Sequence, residues 1–317
     1  MTYPVQLGLI GAGYWGQNYI KTIIKLKNIH LKRISSSYSN LSDFNLKNCI
    51  FTSDWRDFTR CDDLDGVIIA TRPYSHAKIA KAFIERGIPV IIEKPLTLSK
   101  IDAEHLFDIA RETNCIVKID HTYLYSPGFR KLKEVSRREK NLLSLTSIGG
   151  NYGPFRQDVN ALWDWAPHDL AMCIDIIGKK PIKIDAEYLN KEIIGQVEAS
   201  NIHICLEFEN KIKAYINIGN LMDCKKRSFK LLFKDHFLEF NPINNLNIRR
   251  YPHNLEKASL INNSNHIQLI EYEDHLPLSV LVKEFADEIR SAKSNISEIE
   301  LAVNVIKVIE EISHKLK

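Results

Sequence analysis

The sequence predicts an α/β fold in two parts, on three observations: short apolar runs alternate with helical stretches up to about residue 120, a glycine-rich turn joins the first strand to the first helix, and apolar and polar residues alternate beyond residue 200. The first run, Val5-Gln6-Leu7-Gly8-Leu9-Ile10, enters Gly11-Ala12-Gly13-Tyr14-Trp15-Gly16, and a helical stretch with Tyr19, Ile20, Ile23 and Ile24 follows. In a turn so placed, Gly11 makes the tight bend, Gly13 lets the backbone approach a pyrophosphate, and Gly16 lets helix and strand pack closely. The anion would rest on the free N–H groups of the helix start. A tight turn with no ligand is the plainer reading of three glycines, and the flanking strand and helix weigh against it.

The second strand, His30 to Ser35, leads into Ser36 and Ser37. An acidic residue there would bind ribose hydroxyls and favour NAD, whereas a serine at 36 hydrogen-bonds a 2′-phosphate that a carboxylate would repel. NADP is therefore expected ahead of NAD. The elements that follow are Val67-Ile68-Ile69-Ala70, a helix from Ser75 to Arg86, Val90-Ile91-Ile92, a helix from Ser99 to Glu112 with Ser99 as its N-cap, and Ile116 to Ile119. Continuous apolar strands between helices imply a parallel sheet covered on both faces.

Beyond Asp120 the pattern changes: Ile202, Ile204, Leu206 and Phe208 alternate with polar residues, as do Ile212, Ala214, Ile216 and Ile218, with a hairpin expected at Asn210-Lys211. Such antiparallel strands bury one face and leave the other for a partner, so a homo-oligomer is expected. In the last segment Ser297 and Glu300 read as a capping box, followed by Leu301, Val305, Val308, Ile309, Ile312 and Leu316 on one helical face. Two domains are expected, 1–120 and 121–317, joined tightly near residue 120, with the closing helix 297–316 packing back toward the first.

Composition narrows the class. With 317 residues, 44% of them hydrophobic, the chain buries a large core. A dispersed net charge of +4 argues against nucleic acid as a partner, and Lys225-Lys226-Arg227 reads as a solvated strand edge. The six cysteines, at 49, 61, 115, 173, 205 and 224, lack metal or redox spacing, so reduced, buried thiols and no metal are expected. No leader pattern and no bilayer-length apolar run is present, so a cytoplasmic protein without a membrane partner is expected.

Two further segments carry candidate chemistry. Glu93-Lys94-Pro95 stands at the carboxyl end of a parallel strand, where open α/β sheets place their ligands. The Lys94 ammonium there would polarise a carbonyl or stabilise an alkoxide, with desolvation drawing its pKa toward neutrality; a surface lysine beside Glu93 is the equal alternative. In Leu162-Trp163-Asp164-Trp165-Ala166-Pro167-His168-Asp169-Leu170, Pro167 is expected in the first turn of a helix ending at Gly178. Asp164 and His168 then share a face, His168 as base for a hydroxyl proton and Asp164 as its orienter. Taken alone, a cap at Asp164 and a helix-start histidine explain them as well.

Together, the glycine turn, Glu93-Lys94-Pro95 and Asp164-x-x-x-His168, in this order, resemble the Gfo/Idh/MocA oxidoreductases, the glucose-fructose oxidoreductase and inositol dehydrogenase family. The resemblance includes Ala70-Thr71-Arg72-Pro73-Tyr74-Ser75-His76 and the C-terminal helix from Glu298 onward. It implies an N-terminal Rossmann domain and a C-terminal α/β domain with an open, mostly antiparallel sheet that forms homodimers or homotetramers. It implies cofactor contacts from Gly11, Gly13, Tyr14, Trp15, Gly16, Ser36, Ser37, Thr71, Pro73, His76, Glu93 and Lys94, with Lys94 beside the nicotinamide. Substrate contacts are implied for Lys94, Tyr123, Arg156, Asp164 and His168, of which Lys94, Asp164 and His168 are catalytic. The Lys94-Pro95 bond is expected to be cis.

The implied reaction is hydride transfer between nicotinamide and a sugar carbinol or ketone. The Gly-Tyr-Trp-Gly start and the Trp-Asp-x-Ala-Pro-His-Asp-Leu segment look most like members acting on nucleotide-linked sugars for surface polysaccharides or glycoconjugates, with Arg156 as candidate for the diphosphate and an ordinary surface arginine as the equal alternative. Two departures stand out: Ala171 occupies the place of a second aspartate, and Lys140-Asn141-Leu142-Leu143 replaces a glycine-containing turn. A non-catalytic NAD(P)-sensing protein of the same fold, a reductase of a non-sugar substrate such as a tetrapyrrole or cyclic imine, and a methyltransferase are the rival readings. The methyltransferase leaves Glu93-Lys94-Pro95 unexplained.

Overall fold

The computed structural model describes residues 3–37, 41, 44, 46, 48–243, 247–252 and 267–317. These form two compact units, one of residues 1–122 with 276–306 and the other of 123–275 with 307–317.

The first unit is built on a parallel sheet. Its strands are β1 (Val5–Ile10), β2 (Ile29–Ser35), β3 (Ile50–Thr52), β4 (Gly66–Ile69), β5 (Val90–Glu93) and β6 (Val117–Asp120), ordered β3-β2-β1-β4-β5-β6. Every neighbouring pair is parallel. Helices α1 (Tyr14–Ile23), α2 (His76–Ile84) and α3 (Lys100–Thr113) alternate with the strands. Strands buried on both faces need apolar side chains throughout, and Leu7, Leu9, Val67, Ile68, Ile69, Val90, Ile91 and Ile92 have no exposed surface. The strand order reverses between β1 and β4, which makes their carboxyl ends the crevice of an open α/β sheet. Ser99 caps α3 by accepting the Asp102 N–H, as expected.

The second unit begins with α4 (Pro127–Arg138) and continues through β7 (Leu142–Tyr152), α5 (Ala161–Ile177), β8 (Lys183–Ile194), β9 (Val197–Glu207), β10 (Lys213–Gly219), β11 (Leu221–Phe233), β12 (His236–Phe240), β13 (Asn247–Pro252) and β14 (Gln268–Glu271). Its eight described strands run β14-β13-β12-β11-β7-β10-β9-β8, all pairs antiparallel except β7 with β10. The expected alternation holds in β9, where Ile202, Ile204 and Leu206 are buried and the residues between them partly exposed. Helix α5 covers the buried face, lying against β7, β9 and β10. The glycine-containing turn missing before β7 is replaced by Asn141, which takes the left-handed conformation at φ 62°.

Two helices follow, α6 (Pro277–Ser291) and α7 (Ile296–Lys315). Residues 276–306 fold with the first unit, although they follow the second unit's strands in sequence. Lys118 on β6, 1% exposed, meets Glu288 of α6 at 2.8 Å and Glu298 of α7 at 2.7 Å, and Gly66 leaves room for Phe285 and Ile289 of α6.

The structure corrects four local readings. The cap of α7 is Asn295, whose side chain accepts the Ser297 N–H at 3.2 Å, so Ser297 already lies inside the helix and the capping box is absent. Helix α5 starts two turns earlier than expected, at Asn160, which caps the Trp163 N–H at 3.1 Å; Pro167 sits inside the helix. Arg227 is no solvated edge residue, being 5% exposed. Of the six thiols, all free, only Cys115 and Cys173 are buried.

Candidate active site

In the first unit the glycine turn has the shape its sequence demands. Gly11 takes φ +91°, and a Cβ there would lie 2.6 Å from the Ala70 carbonyl oxygen. A Cβ on Gly16 would meet the Gly11 oxygen at 2.0 Å, whereas one on Gly13 would meet nothing within 4 Å. The turn is thus closed on two sides and open at the helix start, where Gly13 is the N-cap residue and no side chain caps α1 among the described residues. Uncapped N–H groups facing an open space fit a pyrophosphate. Tyr14 is exposed and Trp15 half-buried on the first turn of α1.

Ser36 closes the turn from the end of β2, its hydroxyl accepting the Ala12 N–H at 3.3 Å, with Ser37 exposed beside it. The nearby Arg33 guanidinium forms a two-pronged pair with Asp63 at 2.8 and 2.9 Å. After β4, the Thr71 hydroxyl lies 2.7 Å from that of Ser75, and Pro73 is buried. His76 has no exposed surface; its ring nitrogens lie 2.9 Å from the Pro95 carbonyl and 3.1 Å from that of Thr71. The imidazole thereby ties the loop after β4 to the loop after β5, supporting both from behind.

Glu93 ends β5, and the cis Lys94-Pro95 peptide follows. Glu93 faces Asp120 of β6 in register, and both are buried. The Tyr19 and Thr122 hydroxyls each donate to Asp120 at 2.9 Å, one to each carboxylate oxygen. Asp120 is therefore an acceptor, and its hydrogen bond with Glu93 needs a proton on Glu93. Burial, and then the negative charge of Asp120, hold the Glu93 carboxyl well above the usual carboxylate range. Burial likewise pushes His121 down to about 3, with the Lys94 ammonium adding to the effect, so this imidazole is neutral. Lys94 itself is partly exposed, its charge felt by Glu93, Asp120 and His121.

In the second unit Asp164 and His168 lie one turn apart on a continuous stretch of α5, so they share a face. Asp164 is no cap, since Asn160 fills that place. It accepts a hydrogen bond from Arg156 Nη1 at 3.1 Å, while Arg156 also grips Asp158 through Nε at 2.9 Å and Nη2 at 2.7 Å. The hydrogen bond from Arg156 to Asp158, together with the charges of both carboxylates, more than offsets partial burial and holds the guanidinium charged. Tyr123 meets His168 edge to face, ring centroids 5.3 Å apart at 85°.

Asp169, next to His168, points into the sheet: it accepts Arg227 Nη1 at 2.7 and 2.8 Å and the Ser147 hydroxyl. The Arg227 guanidinium carbon stands 4.3 Å from the centre of the Tyr123 ring. Sequence reasoning missed Arg227, although it alternates with buried Phe229, Leu231 and Phe233 on β11. A separate cavity of about 530 Å³ opens beside Trp163, Tyr188 and Glu198, and its lining includes neither Asp164 nor His168. Among the described residues no acidic, histidine or cysteine cluster is placed to hold a metal, and no helix is long and apolar enough to cross a membrane.

Residues 5–121 match the model of an oxidoreductase family with an NAD-binding Rossmann fold. A solved structure from Magnetospirillum magnetotacticum MS-1, assigned as an oxidoreductase, is 32% identical, with a TM-score of 0.89 over 97% of this chain and 99% of its own. The chain belongs to the Gfo/Idh/MocA oxidoreductase family. UDP-N-acetylglucosamine 3-dehydrogenase from Acidithiobacillus ferrooxidans is 25% identical over 39% of this chain and only 39% of its own length. Its solved structure shares the fold, with a TM-score of 0.82 over 99% of this chain and 98% of its own at 16% identity. The same holds for the 3-ketoreductase KijD10 from Actinomadura kijaniata, at 0.78 over 99% of this chain and 98% of its own and 14% identity.

Proposed function

We propose that this family member is an NAD(P)-dependent enzyme that oxidises a carbinol, or reduces the matching ketone, on a nucleotide-linked sugar in the cytoplasm, for surface polysaccharide or glycoconjugate synthesis. The observation that carries the reading is Asp164 and His168 on one face of α5, with Asp164 oriented by Arg156. A sugar hydroxyl offers the proton such a pair accepts.

Nicotinamide, when bound, supplies the hydride chemistry. The backbone from Gly11 to Gly16 holds the pyrophosphate, with Tyr14 and Trp15 beside it and the loop of Thr71, Pro73 and His76 shaping the same crevice. Ser36 and Ser37 receive the adenosine ribose; with Arg33 engaged by Asp63, serine hydroxyls favour NADP over NAD by hydrogen bonding alone. Lys94 places a cation at the carboxyl end of β5, where it steadies the substrate oxygen as charge develops. Burial and the charge of Asp120 favour a proton on Glu93 beside it, while Asp120 and Glu93 both feel the Lys94 charge. His168 takes the hydroxyl proton in oxidation and returns it in reduction, and Asp164 fixes the hydroxyl or the imidazole.

Arg156 orients Asp164 first, and its remaining N–H groups are the contact for a substrate diphosphate. Tyr123 packs the substrate from the side of His168. The face of the second unit's sheet that carries Asn201, His203 and exposed Tyr215 is the surface for a homodimer or homotetramer. Among the relatives, the UDP-N-acetylglucosamine 3-dehydrogenase supports a nucleotide-linked sugar as substrate.

The test is turnover with UDP- and dTDP-linked sugars against NAD⁺ and NADP⁺, followed by nicotinamide absorbance. Turnover of a nucleotide sugar but not of the free sugar supports the reading. Turnover of free sugars or cyclic imines alone moves the substrate class, and tight cofactor binding without any turnover makes the chain a sensor.

A further inference from the structure

Behind His168 lies a group of buried residues that neither the glycine turn nor the proton-accepting pair uses. Asp169 and Ser147 have no exposed surface, and Arg227 is 5% exposed. Three elements meet there: β7 supplies Ser147, β11 supplies Arg227 and α5 supplies Asp169. Gly149 on β7 makes the room, since a Cβ there would lie 2.5 Å from Arg227 Nη1.

A buried ion pair is weak evidence for stability, because apolar residues of equal volume commonly do as well. What this pair does is fix position. Asp169 is held from two strands, by both hydrogen bonds from Arg227 Nη1 and by Ser147, so the turn of α5 carrying His168 is pinned to the sheet. The same guanidinium lies over the Tyr123 ring at 4.3 Å, and that ring meets His168 at 5.3 Å. Burial opposes the Arg227 charge, and Asp169 and Tyr123 together more than restore it, so the guanidinium stays charged.

We propose that Arg227 is a positioning residue: locked by Asp169 and Ser147, it sets the Tyr123 ring against His168 and so fixes the imidazole that receives the substrate proton. The proposal rests on His168 having that part. Lysine cannot replace it, because an ammonium has no planar face to lay over the ring.

The experiment reads the resting enzyme and the turning-over enzyme separately. Ring resonances of His168, assigned through their loss in His168→Gln, are recorded by NMR in Arg227→Lys, Tyr123→Leu, Tyr123→Phe and the double variant Arg227→Met/Asp169→Asn, which removes both charges and so avoids a stranded carboxylate. Arg227→Lys, Tyr123→Leu and the double variant should move those resonances, and Tyr123→Phe, which keeps the ring and loses only the hydroxyl's hydrogen bond with Arg227, should move them least. With a nucleotide sugar, Arg227→Lys should lower kcat about ten-fold while the KM for nicotinamide cofactor stays within about two-fold. Unmoved His168 resonances in the folded variants overturn the proposal. Moved resonances in a protein that turns over no sugar support the positioning and overturn the proposed reaction instead.

Discussion

The two units solve one problem, a carboxylate buried beside functional groups, in opposite ways. At the ends of β5 and β6 Glu93 and Asp120 are buried side by side, and the repulsion is removed by keeping a proton on Glu93. Behind α5 Asp169 is buried just as deeply, and its charge is answered by Arg227. The first arrangement depends on pH and tolerates an amide in place of the acid. The second answers one charge with another and fails when either partner is removed.

The largest expected effect concerns Lys94, whose charge reaches Glu93, Asp120 and His121 alike. Lys94→Ala should lower kcat by about a hundred-fold or more, with the cofactor dissociation constant within a few-fold, because a group acting on the transition state alone affects turnover and not binding. Unchanged kcat would remove Lys94 from the chemistry.

Stability comes next and sets the two clusters directly against each other. Arg227→Met strands the Asp169 charge and should cost about 3–5 kcal/mol in urea unfolding, whereas Glu93→Gln keeps a donor for Asp120 and should cost under about 1 kcal/mol. Equal losses would break the comparison.

The pH dependence follows from the direction of each shift. Glu93 has a raised pKa in the folded protein, so its contribution is full at acid pH and declines as pH rises above the usual carboxylate range. His121, depressed to about 3, contributes above its ordinary value near 6.5 and loses that contribution as pH falls toward 3. Glu93→Gln should therefore flatten the unfolding midpoint on the alkaline side and His121→Gln on the acid side. The smallest effect is at the adenosine end: Ser36→Asp should move the kcat/KM ratio from NADP toward NAD about ten-fold, or 1.4 kcal/mol. An unaltered ratio would deny Ser36 a part in choosing the cofactor.

What could be read in the sequence was local. The glycine turn, the apolar strands, Ser99 and Lys94 at the end of a strand all declare themselves within a few residues, because strand period and turn chemistry act at that range. What was missed depends on partners far along the chain. Arg227 reads as surface charge until Asp169, 58 residues away, is brought beside it, although its two-residue spacing from Phe229 already placed it on the inward face. Pro167 reads as a helix start because proline removes a backbone donor, yet the Asn160 cap and the apolar face of α5 against the sheet carry the helix through it. The folding of residues 276–306 with the first unit turns on Lys118, whose acidic partners lie 170 and 180 residues later.

The most direct test of the account is a fluorescence titration of the purified protein with NADPH and NADH, in wild type and in Gly13→Asp, which places a carboxylate where the open side of the turn faces the pyrophosphate. Micromolar binding that Gly13→Asp abolishes without lowering the unfolding midpoint is the predicted result. Binding unaffected by Gly13→Asp, or no binding of either nucleotide, would contradict it.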